Sequence, residues 1–252
     1  MEPTKLLYME DFNLLVHTAQ VIEVTKQDDR NVVVLNETIF YAQGGGQLYD
    51  TGVMETPNAK FIVQEVRFVD GVVKHIGMFE SGIFEVGDTV SCKVDEERRK
   101  LHSRIHSAGH VIDMAVYELR LPWVPGKGYH FPDGPYIEYE GSLEGLDKEK
   151  LKIDIEELVK KFISENRATK LLFVDKDKMH EVCHHVPGRL PEGKPTRVVL
   201  FGDFGVPCGG THVKQLADIK EIIIRKIKAE GLNIRVGYNV VNLSVILNTA
   251  YI

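Results

Sequence analysis

The chain changes texture once, at Asp95, and that change constrains its fold more than any other feature. Before it lie short β-branched runs at residues 21–24, 31–35, 61–66, 72–76 and 89–94. Turn-forming pairs (Asp28-Asp29, Pro57-Asn58, Asp70-Gly71, Gly87-Asp88) separate them at the spacing of a small sheet or barrel. After it, Leu101, Ile105, Ala108, Ile112, Ala115, Val116 and Leu119 recur at steps of three and four, an apolar helical stripe. Asp95 suits the N-cap of that helix, Glu96 and Glu97 suit its positive end, and Pro122 stops it.

Beyond a Pro/Gly-rich connection at residues 122–128, the pattern predicts a strand at 136–139 and a helix over 147–166. Strands at 171–174 and 197–201 and a short helix within 176–185 follow. Alternating segments at 221–228, 234–241 and 243–247 close the chain. The expected fold class is α+β. A small β-barrel-like domain (1–93) precedes an α+β domain (94–252) with an antiparallel sheet and two long helices.

Several function classes drop out. No apolar run approaches the roughly 18–20 residues that span a bilayer, and the first residues lack a signal-peptide pattern. The three cysteines, Cys92, Cys183 and Cys208, are too few for a disulfide framework. The expectation is a cytoplasmic protein with reduced thiols. The net charge of −6 is uneven: residues 1–92 carry 6 Lys+Arg against 14 Asp+Glu, and the remainder carries 25 against 23. A polyanionic partner would meet the second part.

Two short clusters carry chemistry. His106-Ser107-Ala108-Gly109-His110 lies inside the first helix, where residues four apart differ by about 40° in rotation and about 6 Å in rise, so both imidazoles can reach one ion. Cys208-Gly209-Gly210-Thr211-His212 follows a strand and a loop, and its glycines allow a tight turn that brings thiolate and imidazole together. Either cluster alone is more often structural. Together they offer three nitrogens and a sulfur, a set that suits zinc better than magnesium or calcium. His102 and Asp113 stand where they could orient an imidazole. His180, Cys183, His184 and His185 read as a helix terminus with incidental histidines, and Ser107 after His106 excludes the metalloprotease motif. A third feature is Tyr41 to Gly52, whose Gly44-Gly45-Gly46 run can approach a phosphate or another chain closely, or form a bulged hairpin at a barrel corner.

These three segments, in this order, resemble the editing half of alanyl-tRNA synthetase. They are more closely similar to the AlaX family of free-standing trans-editing enzymes, in its medium-length two-domain class. The segments are residues 40–52, the helix around Arg104-Ile105-His106-Ser107-Ala108-Gly109-His110, and Pro207-Cys208-Gly209-Gly210-Thr211-His212-Val213. The resemblance implies a zinc-containing hydrolase that deacylates tRNA(Ala) mischarged with serine or glycine, acting as a monomer or homodimer. It carries the zinc ligands over to His106, His110, Cys208 and His212.

Two departures touch substrate choice. Ser107 and Gly109 stand where the synthetase often has two threonines, and the Gln of its Gln-Lys-Gly-Ser element is missing before Lys127. Lys127, Tyr129 and His130 are nevertheless expected near the substrate, with Gly44, Gly45 and Gly46. The Gly209, Gly210 and Thr211 N–H groups are candidate oxyanion donors, and the Ser107 and Thr211 hydroxyls are candidates for ordering water or a seryl side chain. Arg98, Arg99, Lys100 and Arg104 are the candidate tRNA contacts, with Arg225, Lys226 and Lys228 as a second cationic face. Four protein ligands would close a tetrahedral site. The ion therefore either keeps one ligand loose and acts on water, or anchors substrate and architecture. The alternative is a non-catalytic zinc-stabilised tRNA-binding module. A third is a zinc hydrolase of small esters unrelated to tRNA.

Overall fold

The computed structural model describes residues 1–188 and 195–241; the expected strand at 243–247 lies outside them. Six strands close a barrel: β1 (Val16–Gln27), β2 (Arg30–Leu35), β3 (Gly52–Glu55), β4 (Lys60–Val69), β5 (Val72–Ser81) and β6 (Thr89–Val94), in the order β1-β2-β5-β4-β3-β6. Closure removes the sheet edges, and the alternation of β6 shows how residues are sorted, with Val90, Cys92 and Val94 inward and their neighbours outward. Ahead of the barrel, Lys5–Leu6 pairs with Glu37–Thr38, and one helical turn spans Leu7–Glu10.

Helix α1 (Glu96–Glu118) follows at once. The Asp95 carboxylate accepts from the Arg98 N–H, the expected cap. The helix ends at Leu119, where Arg120 turns left-handed (φ +52°), three residues ahead of Pro122's proline ring. Its buried set is wider than one stripe and includes Arg99, His102, Ser103, His106 and Ser107, because α1 is covered on more than one side. After it come β7 (Val124–Tyr129), β8 (Tyr136–Glu140), α2 (Lys148–Glu165), β9 (Thr169–Phe173), β10 (Arg197–Phe201), β11 (Phe204–Pro207), β12 (Ile222–Glu230) and β13 (Asn233–Val240). They build a four-stranded antiparallel sheet, β12-β13-β8-β7, and a three-stranded one, β9-β10-β11. Ile155, Val159 and Phe162 of α2 share a core with Ile112 and Ala115 of α1 and Ile224 and Val236 of the larger sheet. The architecture is α+β, and no helix among the described residues is long and apolar enough to cross a membrane.

Three of these strands were not expected, the first being β3, which follows the glycine-rich segment directly. The Pro/Gly-rich segment forms β7, which tolerates Pro125 because it is the sheet's edge strand and pairs with β8 across a bulge between Ile137 and Tyr139. The supposed loop before Cys208 is β11, joined to β10 by a two-residue turn in which Gly202 takes φ +70°. The helix expected within 176–185 is a 3₁₀ segment, Lys176–Glu181.

Arg99 ties α1 to the barrel. It is 2% exposed, and its guanidinium donates to both Asp50 carboxylate oxygens and to the carbonyls of Phe12 and Ile39. Asp50 also accepts from the Tyr41 N–H. Every part of the fork is used, which is what a buried charge requires. Replacing Arg99 with Met should therefore cost about 3–5 kcal/mol, and Asp50→Asn a similar amount. The double variant should lose less than the sum of the two, read from urea midpoints in a double-mutant cycle.

His75 is fully buried in the barrel, donating from Nδ1 to Val33 O while Nε2 accepts from the Thr38 hydroxyl. Burial pushes its pKa down to about 4. The folded state therefore binds this proton more weakly than the unfolded state does. The stability is complete above the unfolded value near 6.5 and is lost as pH falls toward 4. Acid titration of His75→Gln should show the stability–pH slope near pH 5 reduced by about one proton.

Candidate metal centre

His106, His110, Cys208 and His212 converge: one donor atom from each lies within 4.8 Å of all the others. Two turns of α1 present the first pair and the glycine turn after β11 presents the second. Gly210 is required in that turn because a Cβ there would overlap His106 Cε1.

Each imidazole is held from behind through Nδ1. The Thr211 N–H donates to Gln47 Oε1 (2.9 Å), which fixes the orientation of that amide. His106 Nδ1 must then donate to the same oxygen (2.7 Å), leaving Nε2 with its lone pair. His110 Nδ1 donates to Asp113 Oδ2 (3.2 Å), and His212 Nδ1 is paired with Ser107 Oγ (3.3 Å). The Nε2 atoms of His106 and His212 stand 3.4 and 3.3 Å from Cys208 Sγ. A tetrahedral ion with bonds of about 2.3 Å to sulfur and about 2.1 Å to nitrogen gives S···N edges of about 3.6 Å. The cluster is thus close to the size of such a shell. His110 Nε2 is buried with no hydrogen-bond partner, as expected of a nitrogen that faces an ion. The residues fit a metal.

Electrostatics agree. Burial, with neighbouring histidines and Arg197, holds His106 and His212 well below the usual imidazole range, so they stand neutral as ligands must. Burial also disfavours charge on His110 and Cys208. The Asp113 carboxylate and the neighbouring Cys208 sulfur outweigh it for His110, and His110, Arg197 and the Gly210 N–H outweigh it for Cys208. His110 rises to about 10 and the thiol falls below its ordinary value, so an ion bound here would displace the His110 Nε2 proton and leave all three imidazoles neutral.

The cluster opens on a cavity of about 970 Å³, lined on this side by His106, His110, Cys208, Gly209 and Arg197; His212 lies behind, against Phe201. Gly45, Gly46, Lys127 and His130 also line it. His130 stacks on His106 at 4.4 Å, and its Nδ1 donates to the Tyr238 hydroxyl, which itself donates to Ile105 O. Gly46, Gly109 and Gly128 surround the His130 ring so closely that a Cβ on any of them would meet it. The His130 N–H donates to Gly46 O (2.8 Å).

Other expected residues lie elsewhere. Strand alternation turns Tyr129 away from the cavity, where it stacks on Phe131 and Tyr136 and donates to Asp133. Gly44 is one residue removed from the cavity-lining Gly45, its carbonyl accepting from the Tyr41 hydroxyl. The Ser107 and Thr211 hydroxyls are fully buried behind the ligands, Ser107 taking the Val213 N–H and Thr211 the Gln47 amide. The Gly210 N–H is aimed at Cys208 Sγ and the Thr211 N–H is taken by Gln47, and of the three residues only Gly209 lines the cavity. Arg99 is not a surface cation but the buried partner of Asp50, and Arg104 donates to Ile219 O and Val241 O. Arg98 lies over the Tyr49 ring and donates to Tyr49 O, and Lys100 pairs with Glu96 and Glu97. Those four do not form one cationic face. In the second set, Arg225 donates to Tyr238 O and Pro135 O, and Lys228 pairs with Glu230. Among the described residues the 180–185 histidines form no second converging group.

Gln47 and Arg197 were not assigned. Arg197 is buried and donates to the carbonyls of Tyr8, Met9, Cys208 and Gly210, binding the glycine turn to the barrel's N-terminal segment. Gln47 follows the three glycines directly, a position where a polar side chain leaves a tightly turned backbone, and that was the available signal. Removing an outer partner of a ligating histidine typically weakens metal binding 10–100-fold. Gln47→Ala should do so here, measured by competition with a chromophoric chelator, with the far-UV circular dichroism retained.

The family profile described as tRNA synthetases class II (A) matches residues 4–98, the barrel and the start of α1. Alanine–tRNA ligase of Dichelobacter nodosus is 32% identical over 226 residues, covering 81% of this chain and 24% of that protein. Alanine–tRNA ligase of Nitrosomonas europaea is 34% identical over 218 residues, covering 81% and 25%. The ligase of Leptospira biflexa is 32% identical over 209 residues, covering 82% and 22%. The chain spans about a quarter of the length of these relatives. The alignments cover about four-fifths of the chain, and the chain belongs to the alanyl-tRNA synthetase-related family as an AlaX-like member.

Proposed function

We propose that this chain is a zinc-dependent hydrolase that removes wrongly attached serine, and also glycine, from tRNA(Ala). The observation that carries the reading is the cavity-facing His₃Cys cluster, each imidazole oriented through Nδ1, in a chain related to alanine–tRNA ligases. Three neutral imidazoles and a thiolate are zinc's donors rather than those of magnesium or calcium. Zinc bound there supplies Lewis acidity toward a carbonyl and lowers the pKa of water.

The chain's own groups supply the rest. An aminoacyl ester is already activated, so positioning and charge stabilisation suffice. Gly209 lines the cavity, and its N–H is the oxyanion donor in this reading. His130 keeps its proton on Nδ1 for Tyr238, so Nε2 is an acceptor, suited to a water or to a substrate ammonium or hydroxyl. Lys127 is exposed at the cavity wall, a contact for the phosphodiester end of the substrate. A site that hydrogen-bonds a seryl hydroxyl leaves polar groups unpaired when alanine is bound, which favours removal of serine.

The closed four-donor shell is the pattern of structural zinc, and it favours a second reading as a non-catalytic tRNA-binding module. A deacylation time course separates the two. With zinc-loaded protein, Ser-tRNA(Ala) and Gly-tRNA(Ala) should be hydrolysed and Ala-tRNA(Ala) spared, and Cys208→Ala should slow the reaction by about two orders of magnitude or more. Retention of all three aminoacyl groups by folded, zinc-loaded protein would overturn the hydrolase reading and leave the binding module.

A further inference from the structure

The cavity reaches well past the metal cluster. In one direction it is walled by Tyr117, His184 and Phe204, residues that nothing above uses. Tyr117 lies seven residues beyond His110 on α1, 20° short of two full turns, so it shares the His110 face about 10.5 Å farther along. Phe204 begins β11, the strand that ends just before Cys208, four residues or about 13 Å from the thiol. The two elements that carry metal donors thus both lead to an aromatic ring at a similar distance.

Those rings form a cluster. His184 stacks on Phe204 at 4.3 Å (interplanar 20°), and Tyr117 meets His184 edge-on at 4.5 Å and Phe204 at 5.8 Å. Phe204 is buried and belongs to the core. Tyr117 is 57% exposed and His184 is exposed as well, so their packing leaves ring surface facing the cavity. The cavity's remaining large ring, Trp123, is 5% exposed and donates its indole N–H to Ser142 O, so it offers no comparable face. Arg120 lines the same arm, exposed and in no ion pair among the described residues.

Building on the function proposed above, we propose that this aromatic cluster is the stacking platform for the terminal base of the aminoacylated nucleic acid, with Arg120 meeting the phosphate on its 5′ side. An ester carbonyl at the metal cluster is separated from the centre of the base by the width of one ribose, about 7–8 Å at ordinary bond lengths. Together with a metal-to-carbonyl approach, that span reaches Tyr117 and does not reach beyond it. Every tRNA ends in adenosine, so the ligand class is an adenine nucleotide. A stacking platform suits it because aromatic side chains hold a base without reading the rest of the sequence.

The test reads binding and does not depend on hydrolysis. Adenosine 5′-monophosphate and ribose 5-phosphate are titrated in parallel into zinc-loaded wild type, Tyr117→Ala, Tyr117→Phe and His184→Ala, followed by calorimetry. Base–aromatic stacking predicts a Kd for the nucleotide about 5- to 150-fold weaker in Tyr117→Ala. It also predicts near-wild-type binding in Tyr117→Phe and a ribose 5-phosphate affinity untouched by either change. His184→Ala should weaken the nucleotide in the same direction, and it serves if Tyr117→Ala fails to fold. Wild type that binds both ligands equally, or alanine variants with unchanged nucleotide affinity and normal zinc content, would overturn the platform. A wild type that binds the nucleotide through Tyr117 yet deacylates nothing would instead count against the hydrolase reading alone.

Discussion

One carboxamide joins the two parts of the chain at the metal centre. Gln47 leaves the barrel's glycine run and enters the helical part, where its oxygen takes the His106 Nδ1–H and the Thr211 N–H and its nitrogen donates to the Thr211 hydroxyl. Both metal-bearing segments are held by the same planar group, so their separation cannot drift independently of the loop. The loop in turn can enter because Gly46 turns left-handed (φ +74°) beside the Gly128 carbonyl, a place with no room for a Cβ. Arg99 with Asp50 and Arg197 with the Tyr8 and Met9 carbonyls fasten the same junction at two further points. All four donors belong to the second part of the chain, and the barrel contributes the group that fixes how His106 and the glycine turn face each other.

The arrangement also explains what the ligand cluster can offer chemically. The buried Nδ1 partners leave each histidine only its Nε2 for an ion, and Ser107 and Thr211 are spent on holding ligands and backbone. Close to the ligands, the cavity wall carries the Gly209 turn, the His130 ring and the cationic Lys127. Discrimination among aminoacyl groups must then come from this small set and from the walls, not from the two hydroxyls nearest the metal.

Much of this was legible in the sequence, and the misses have physical reasons. The shift from two-residue to helical periodicity at Asp95, the cap of α1, the extent of α2 and the pairing of HxxxH with CxxxH depend on local spacing, which a sequence displays directly. Strand β7 escaped because Pro125 and two glycines mask a strand whose register depends on β8. Arg99 was grouped with Arg98 and Lys100 as a surface cation, although its seven-residue spacing from His106 places it on the ligand face, so the signal was present. Tyr129 was grouped with His130, although strand alternation separates the two. The position of Gln47 after the glycines was a signal, but its partners were not readable, since Thr211 stands 164 residues away.

That separation bears on how the chain reaches its native state. His106 and His110 are brought together by one helical segment, so a partly folded chain can present two donors early. Cys208 and His212 join them only after the β10–β11 hairpin has formed and the barrel loop has closed on Thr211, contacts of long sequence span that form slowly. A half-formed site has two donors and holds an ion weakly, whereas the finished one has four. A metal taken up by the four donors would then be captured at the end of folding and act as a latch on it, slowing the reopening of the barrel–helix junction more than it speeds the junction's closing.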